Sequence, residues 1–210
     1  VNFGTKYPHA VTGNSDQQSA YRMLVGSLGR PAWDSVATTL QERLTDSVID
    51  AAVARMPPAY QAKIGQDIAR GLRYRRDHLP TLVDRMYRQV RQDAEIYATT
   101  ESERVVLQWA GRDSLAVRIG RRHPSPFLAR ETDRVTLFLG AGTDTLEVVG
   151  TPGKAPVVRV APVPGESLFV TGTGDQRALT IFGKSASVTT DRPGDTRIRS
   201  ATLADPLAFI

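Results

Sequence analysis

Cysteine is absent from this 210-residue chain, which excludes a disulfide scaffold, a thiolate-bound zinc and a cysteine nucleophile. Long apolar runs are missing too, and none approaches the roughly 20 residues that a membrane-spanning helix needs. Histidine is scarce: His9, His78 and His123 are the only ones, and no two stand at the i, i+4 spacing of a helical metal site. No G-x-S-x-G, H-E-x-x-H or G-x-x-x-x-G-K-S/T string occurs, so the sequence marks no nucleophile elbow, zincin helix or P-loop. The acidic pairs Glu101/Glu103 and Glu131/Asp133 add no recognisable catalytic constellation. Lysine is rare as well, with Lys6, Lys63, Lys154 and Lys184 alone among 27 basic residues; the rest are arginine.

The 27 basic and 22 acidic residues leave a net charge of +5. That excess is spread evenly along the chain, whereas a nucleic-acid-binding domain concentrates it on one face, and no nucleic-acid partner is expected. Hydrophobic residues make up 40% of the chain, enough to build one sizeable core or two smaller ones.

Two different periods divide the sequence near Asp93. From Asp16 to about Gln92 apolar residues recur three and four apart, between repeated helix start signals. Asp16 is placed to cap a helix carrying Tyr21, Leu24, Val25 and Leu28. Pro31 suits the first turn of a second helix, with Trp33, Val36, Ala37 and Leu40 as its inward stripe. Thr45 caps a third, with Val48, Ile49, Ala52 and Val53 inward, until Pro57 and Pro58 stop it. A fourth runs from about Ala59 to Asp77 through Ile64, Ile68 and Leu72, and Pro80 opens a fifth carrying Leu82, Val83, Met86, Tyr87 and Val90.

Beyond Asp93 the pattern becomes alternation with β-branched residues and frequent glycine. Strands are predicted at Glu95 to Thr99, Arg104 to Ala110, Ser114 to Ile119, Arg134 to Leu139, Thr145 to Val149, Val157 to Ala161, Ser167 to Thr171 and Ala178 to Phe182. Gly111-Arg112-Asp113 reads as a hairpin turn, and His123 to Phe127 as a proline-containing loop. Val135 to Gly150 aligns without gaps on Val157 to Gly172, an offset of 22 residues that sets Leu146 on Leu168 and Val148 on Val170. Two strands per repeat suit a β-solenoid or a stack of hairpins. The expectation is an α+β chain with a helical domain over 1–92, a bundle of about five helices, and a β-rich domain over 93–210, either a sandwich or a short solenoid-like region.

Two strings carry candidate chemistry. Gly140-Ala141-Gly142-Thr143-Asp144 overlaps a calcium-binding nonapeptide, with Leu139 where the first glycine would stand. Gly140, Gly142 and Asp144 are therefore a candidate calcium site, against the alternative of a glycine-rich turn capped by Asp144. Arg73, Arg75 and Arg76 end the fourth helix and are a candidate phosphate- or anion-binding cluster, since arginine grips such groups in bidentate fashion. Basic residues at a helix C-terminus also complement its dipole.

A run of short strings resembles a region of long exported proteins of Gram-negative bacteria. They are Leu44-Thr45-Asp46 through Val53, Met56-Pro57-Pro58, Leu72-Arg73-Tyr74-Arg75-Arg76-Asp77-His78-Leu79, Tyr87, the passage from Asp93 to Glu103, and Thr132-Asp133-Arg134-Val135-Thr136-Leu137-Phe138-Leu139-Gly140. The similarity covers roughly residues 30 to 172. In that family the region follows a metallophosphoesterase-like or kinase-like domain and precedes an outer-membrane β-barrel of the surface-antigen type. The resemblance implies a periplasmic or outer-membrane-surface location, partners among the other domains of a longer parent chain or among envelope proteins, and a non-catalytic interaction or spacer role. The start at Val1 then reads as that of a processed chain or an excised piece. Two alternatives remain open from the residues: an accessory segment of a phosphoesterase or phosphotransferase, with Arg73, Arg75 and Arg76 as its phosphate-binding surface, and a calcium-stabilised β module.

Overall fold

The computed structural model describes residues 22–184, 186–201 and 203. The expected cap at Asp16, the side chain of Tyr21 and His9 lie outside them. Four helices follow a helical turn at 22–25: α1 (Arg30–Arg43), α2 (Asp46–Ala54), α3 (Pro58–Asp77) and α4 (Leu79–Gln92). Pro31 occupies the first turn of α1. Thr45 caps α2, its hydroxyl accepting from the Val48 amide at 3.3 Å, and Pro57 and Pro58 separate α2 from α3.

Eleven strands follow among the described residues, in two sheets. The five-stranded sheet contains β1 (Asp93–Tyr97), β5 (Arg134–Phe138), β7 (Val157–Ala161), β9 (Leu179–Phe182) and β11 (Arg197–Arg199), in that order. The six-stranded sheet runs β10 (Ser187–Thr190), β8 (Ser167–Thr171), β6 (Thr143–Val149), β2 (Arg104–Ala110), β3 (Ser114–Ile119) and β4 (Ser125–Leu128). From β5 onward the chain alternates between the sheets, and every pairing within β5 to β11 is parallel. β2, β3 and β4 pair antiparallel and form one edge of the six-stranded sheet.

The two chain segments that hold compactly together are residues 29–88 and residues 22–28 with 89–203. The fold expectation is corrected on three points. A self-contained bundle of five helices does not form, because the 22–25 turn and the last turn of α4 belong with the strands. Arg91, 2% exposed, shows the cause: its guanidinium donates to the carbonyls of Gly26, at 2.9 Å, and of Pro126, and lies 4.1 Å from the Phe127 ring centroid. Arg22 adds an ion pair to Glu95 at 3.3 Å. Second, the β part is neither a sandwich nor a solenoid throughout: parallel coils from β5 onward join an antiparallel meander. Third, the last three residues of the loop expected at His123 to Phe127 are in β4. Pro126 is tolerated there because β4 is the outer strand of its sheet.

The gapless repeat alignment is also shifted. Val135 pairs with Val158 rather than Val157, and Leu146 with Val170 rather than Leu168. The turn between β7 and β8, 162–166, is one residue longer than that between β5 and β6, 139–142, so a single offset cannot hold both strands in register. On the five-stranded sheet that slip is a single residue and reverses the face, setting buried Val135 on Val157, which is 55% exposed; in the observed register Ile96, Leu137, Val160 and Ile181 form one buried row of that sheet, and Val105, Leu146 and Val170 form one of the six-stranded sheet. These rows meet in a single core of alternate residues, joined by Trp109, Leu115 and Phe127.

The segment over 29–88 has a thinner core, built from Ile49, Val53 and Ala69 with Met56, Ile68 and Leu72 against them. Ala37 of the predicted α1 stripe is buried, but Val36 and Leu40 are 59% and 42% exposed. In α2, Val48 is exposed where an inward position was expected, and Ile64 of α3 is exposed likewise.

Candidate functional site

The arginines at the end of α3 face carboxylates of α2. Arg73 reaches Asp50 at 2.5 Å and Asp46 at 3.4 Å, and Arg76 reaches Asp46 at 2.6 Å and Asp77 at 2.8 Å. Arg76 also donates to the carbonyl of Leu44 at 2.9 Å. The arrangement follows from two helix ends. Asp46 sits in the first turn of α2, where the exposed amides favour an anion, and Arg76 sits in the last turn of α3, where the carbonyls favour cations. The Asp46 carboxyl is held below the usual carboxylate range, chiefly by its hydrogen bond from Arg76. The Arg76 guanidinium is raised in turn, chiefly by its bonds to Asp77 and Asp46. Arg75 lies half-buried in the same turn, where His78 stacks on Tyr74 with ring centroids 3.9 Å apart. The structure thus brings Arg73 and Arg76 together around Asp46, and an incoming phosphate would have to displace three carboxylates of the chain itself.

The Gly140 to Asp144 string spans the turn between β5 and β6 and the first two residues of β6. Gly140 packs directly on the carbonyl of Thr99, which leaves no room for a Cβ, and Gly142 adopts φ +105° beside the Ser102 amide. Asp144 occupies a core-facing position of β6, in parity with Leu146 and Val148, and is 2% exposed. Its Oδ1 accepts the Glu103 amide at 2.9 Å, while the Thr143 amide donates to the Ser102 hydroxyl at 3.0 Å. Glu103 in turn accepts the Thr99 amide at 2.6 Å. Burial is the main cause that pushes the Asp144 carboxyl above its usual range; the Glu103 amide opposes it, and Glu103 and Glu166 add repulsion. Its demonstrated work is to lock the 99–103 loop onto the turn. Among the described residues no three His, Asp or Glu side chains form a group that could hold a metal ion.

Sequence reasoning missed a polar knot near the last coil. Gln176, fully buried, donates to Asp191 at 2.6 Å and accepts from the hydroxyls of Thr190 at 2.8 Å and Thr196 at 2.6 Å. Asp191 also accepts from the Thr171 hydroxyl and the Gly172 amide, both at 3.1 Å. These bonds hold its carboxyl below the usual range, that from Gln176 foremost. The only signal was a glutamine between Asp175 and Arg177, which does not separate a buried amide from a surface one.

No protein-family model, curated protein or solved structure matches the chain. Among the described residues no helix is long and apolar enough to cross a membrane.

Proposed function

We propose that the chain is a non-catalytic interaction module of an exported, envelope-associated bacterial protein, with neighbouring domains of its parent chain as partners. The observation that supports this reading is the set of apolar side chains left outside on the helices. Val36 and Leu40 of α1 stand one turn apart, as do Tyr60 and Ile64 of α3, and all four are exposed, with Val48 of α2 beside them in the count. A helix stable on its own account turns such a stripe inward, and apolar patches that stay outside mark surfaces meant for a partner. The parallel coils suit the same role, because each contacts only its neighbours and presents long rows of side chains. The phosphate-accessory alternative loses support from the carboxylates that occupy Arg73 and Arg76, and the calcium alternative from the amide that occupies Asp144.

The test uses the complete parent protein. Cell fractionation should find it in the envelope, and a charge at Val36 or Leu40 should release a neighbouring domain from protection against proteolysis. A cytosolic parent protein, or unchanged protection in Val36→Asp and Leu40→Asp variants that keep their helical circular dichroism, would overturn the reading.

A further inference from the structure

The parallel register of the five-stranded sheet arranges its outward side chains in rows. One row runs Glu95, Thr136, Arg159, Thr180 and Arg197 across all five strands. In the next, Tyr97 aligns with Phe138 and Phe182 with Arg199. At the β1 end the charges of this face are balanced internally, with Arg134 3.0 Å from Asp93 and Arg22 3.3 Å from Glu95. Toward β11 they are not. Among the described residues no carboxylate comes within ion-pair distance of Arg159, Arg197 or Arg199.

Arg159 borders a cavity of about 170 Å³ in whose lining Asp93 and Glu95 are already paired with Arg134 and Arg22, which leaves Arg159 as its unpaired cation among the described residues, and its guanidinium carbon lies 5.9 Å from the Phe182 ring centroid. Burial, and then repulsion from Arg134 and Arg199, pushes this guanidinium below its usual value, with Asp93 opposing. An anion seated on the β9 and β11 side of Arg159, away from Asp93 and Glu95 on β1, relieves that repulsion. Two inter-strand steps place Arg197 roughly 10 Å from Arg159, and Arg199 stands roughly 7 Å from Arg197 along β11. Those separations are too wide for one small anion and match a ligand whose anionic groups are held apart by neutral spacers.

We propose that this face binds an acidic oligosaccharide, with Arg159, Arg197 and Arg199 receiving its carboxylate or sulfate groups and the Thr180 hydroxyl meeting a ring hydroxyl between them. Three features favour this ligand over a single-stranded nucleic acid. Tyr97 and Phe138 stack on each other, with centroids 4.8 Å apart and planes 14° from parallel, so they leave no open pair of rings for a base to enter. Asp93 and Glu95, which line the same cavity as Arg159, accept hydrogen bonds from sugar hydroxyls and repel a backbone charged at every unit. Half-buried Phe182 and Thr180 offer the mixed apolar and hydroxyl surface that a sugar ring presents in return. The inference goes beyond the interaction-module reading and does not depend on the compartment.

The experiment is calorimetric titration of the full 210-residue chain with oligogalacturonate, a heparin-derived oligosaccharide, a neutral malto-oligosaccharide, oligothymidylate and phosphatidylglycerol vesicles. Both acidic saccharides should bind, weaken with added salt and outcompete the other three probes. Arg159→Gln, Arg197→Gln and Arg199→Gln should each weaken binding roughly tenfold, the loss of one charged hydrogen bond. Arg118→Gln, an exposed site on the six-stranded sheet, should leave it unchanged. Arg197 and Arg199 are fully on the surface, so their double variant serves if Arg159→Gln fails to fold. Absence of acidic-saccharide binding, binding indifferent to these substitutions, or preference for oligothymidylate or vesicles would each overturn the proposal.

Discussion

Asp144 gives the sharpest test of what the glycine-rich turn does. A carboxyl whose folded-state pKa lies above its unfolded value holds its proton more tightly when folded. Its ionisation therefore costs stability, a cost absent in strong acid and complete once the pH has passed the folded pKa. Asp144 is in this position because a core-facing strand site keeps it 2% exposed. Asp144→Asn keeps an acceptor for the Glu103 amide, 2.9 Å away, and removes the buried charge. Asp144→Ala removes both, forfeiting a hydrogen bond to a charged group worth about 1.5–3 kcal/mol, offset in part by relief of the charge. Urea unfolding at neutral pH should therefore rank Asp144→Asn at or above the wild-type chain and Asp144→Ala below it. As the pH falls toward the ordinary carboxylate range, the gap between Asp144→Asn and wild type should close. Asp144→Asn as unstable as Asp144→Ala, or a gap that widens in acid, would refute the reasoning. A wild-type midpoint raised by millimolar calcium and lowered by chelator, with Asp144→Asn indifferent to both, would reinstate the metal.

Three further outcomes follow from the core and its turns. Leu146 is fully buried between β2 and β8, and Leu146→Ala should cost about 3–5 kcal/mol in denaturant unfolding. Gln176→Leu removes the amide donor to Asp191 and the shared acceptor of the Thr190 and Thr196 hydroxyls and should lower stability by about 1–3 kcal/mol. Because the Asp191 carboxyl is held low, its contribution is complete above the ordinary carboxylate range and lost as the pH falls through its folded value, so Asp191→Asn should flatten the acid limb of the stability profile. Gly140→Ala drives a methyl into the Thr99 carbonyl and should destabilise more than Gly165→Ala, which meets no neighbouring atom and bears only the strain of a positive φ; thermal melts of the two compare them directly.

Local periodicity was the legible part of this chain. Arg104–Ala110, Ser114–Ile119, Val157–Ala161 and Ser167–Thr171 form strands with the ends that alternation predicts, because a two-sided environment enforces a two-residue period. Where proline interrupts the pattern, as at Pro126, the strand is invisible until its edge position is known. The α1 stripe was legible as a stripe but not as an exposed one, since periodicity says which residues share a face and not what covers it. For the candidate sites, Arg73 and Arg76 were visible as cations, while two of the three carboxylates that neutralise them, Asp46 and Asp50, come from another helix 23 to 30 residues earlier. Asp144 could have been read as inward from its parity with Leu146 and Val148. The arginine row on the five-stranded sheet could not, because Arg159 and Arg197 become neighbours only through parallel register across β9.

The coils from β5 to β11 also imply an order of events. Each strand from β7 to β9 is held by the strand of the coil before and the strand of the coil after, two positions away in chain order, so opening has no need to begin in the middle. β11 is short, with all three residues exposed, and Ile198 continues the buried row of Ile181 while remaining 46% exposed. Unfolding should start there and travel coil by coil toward β6, like a zip. In amide hydrogen exchange this appears as a gradient, with β11 and β10 exchanging first and the central strands β6 and β7 last.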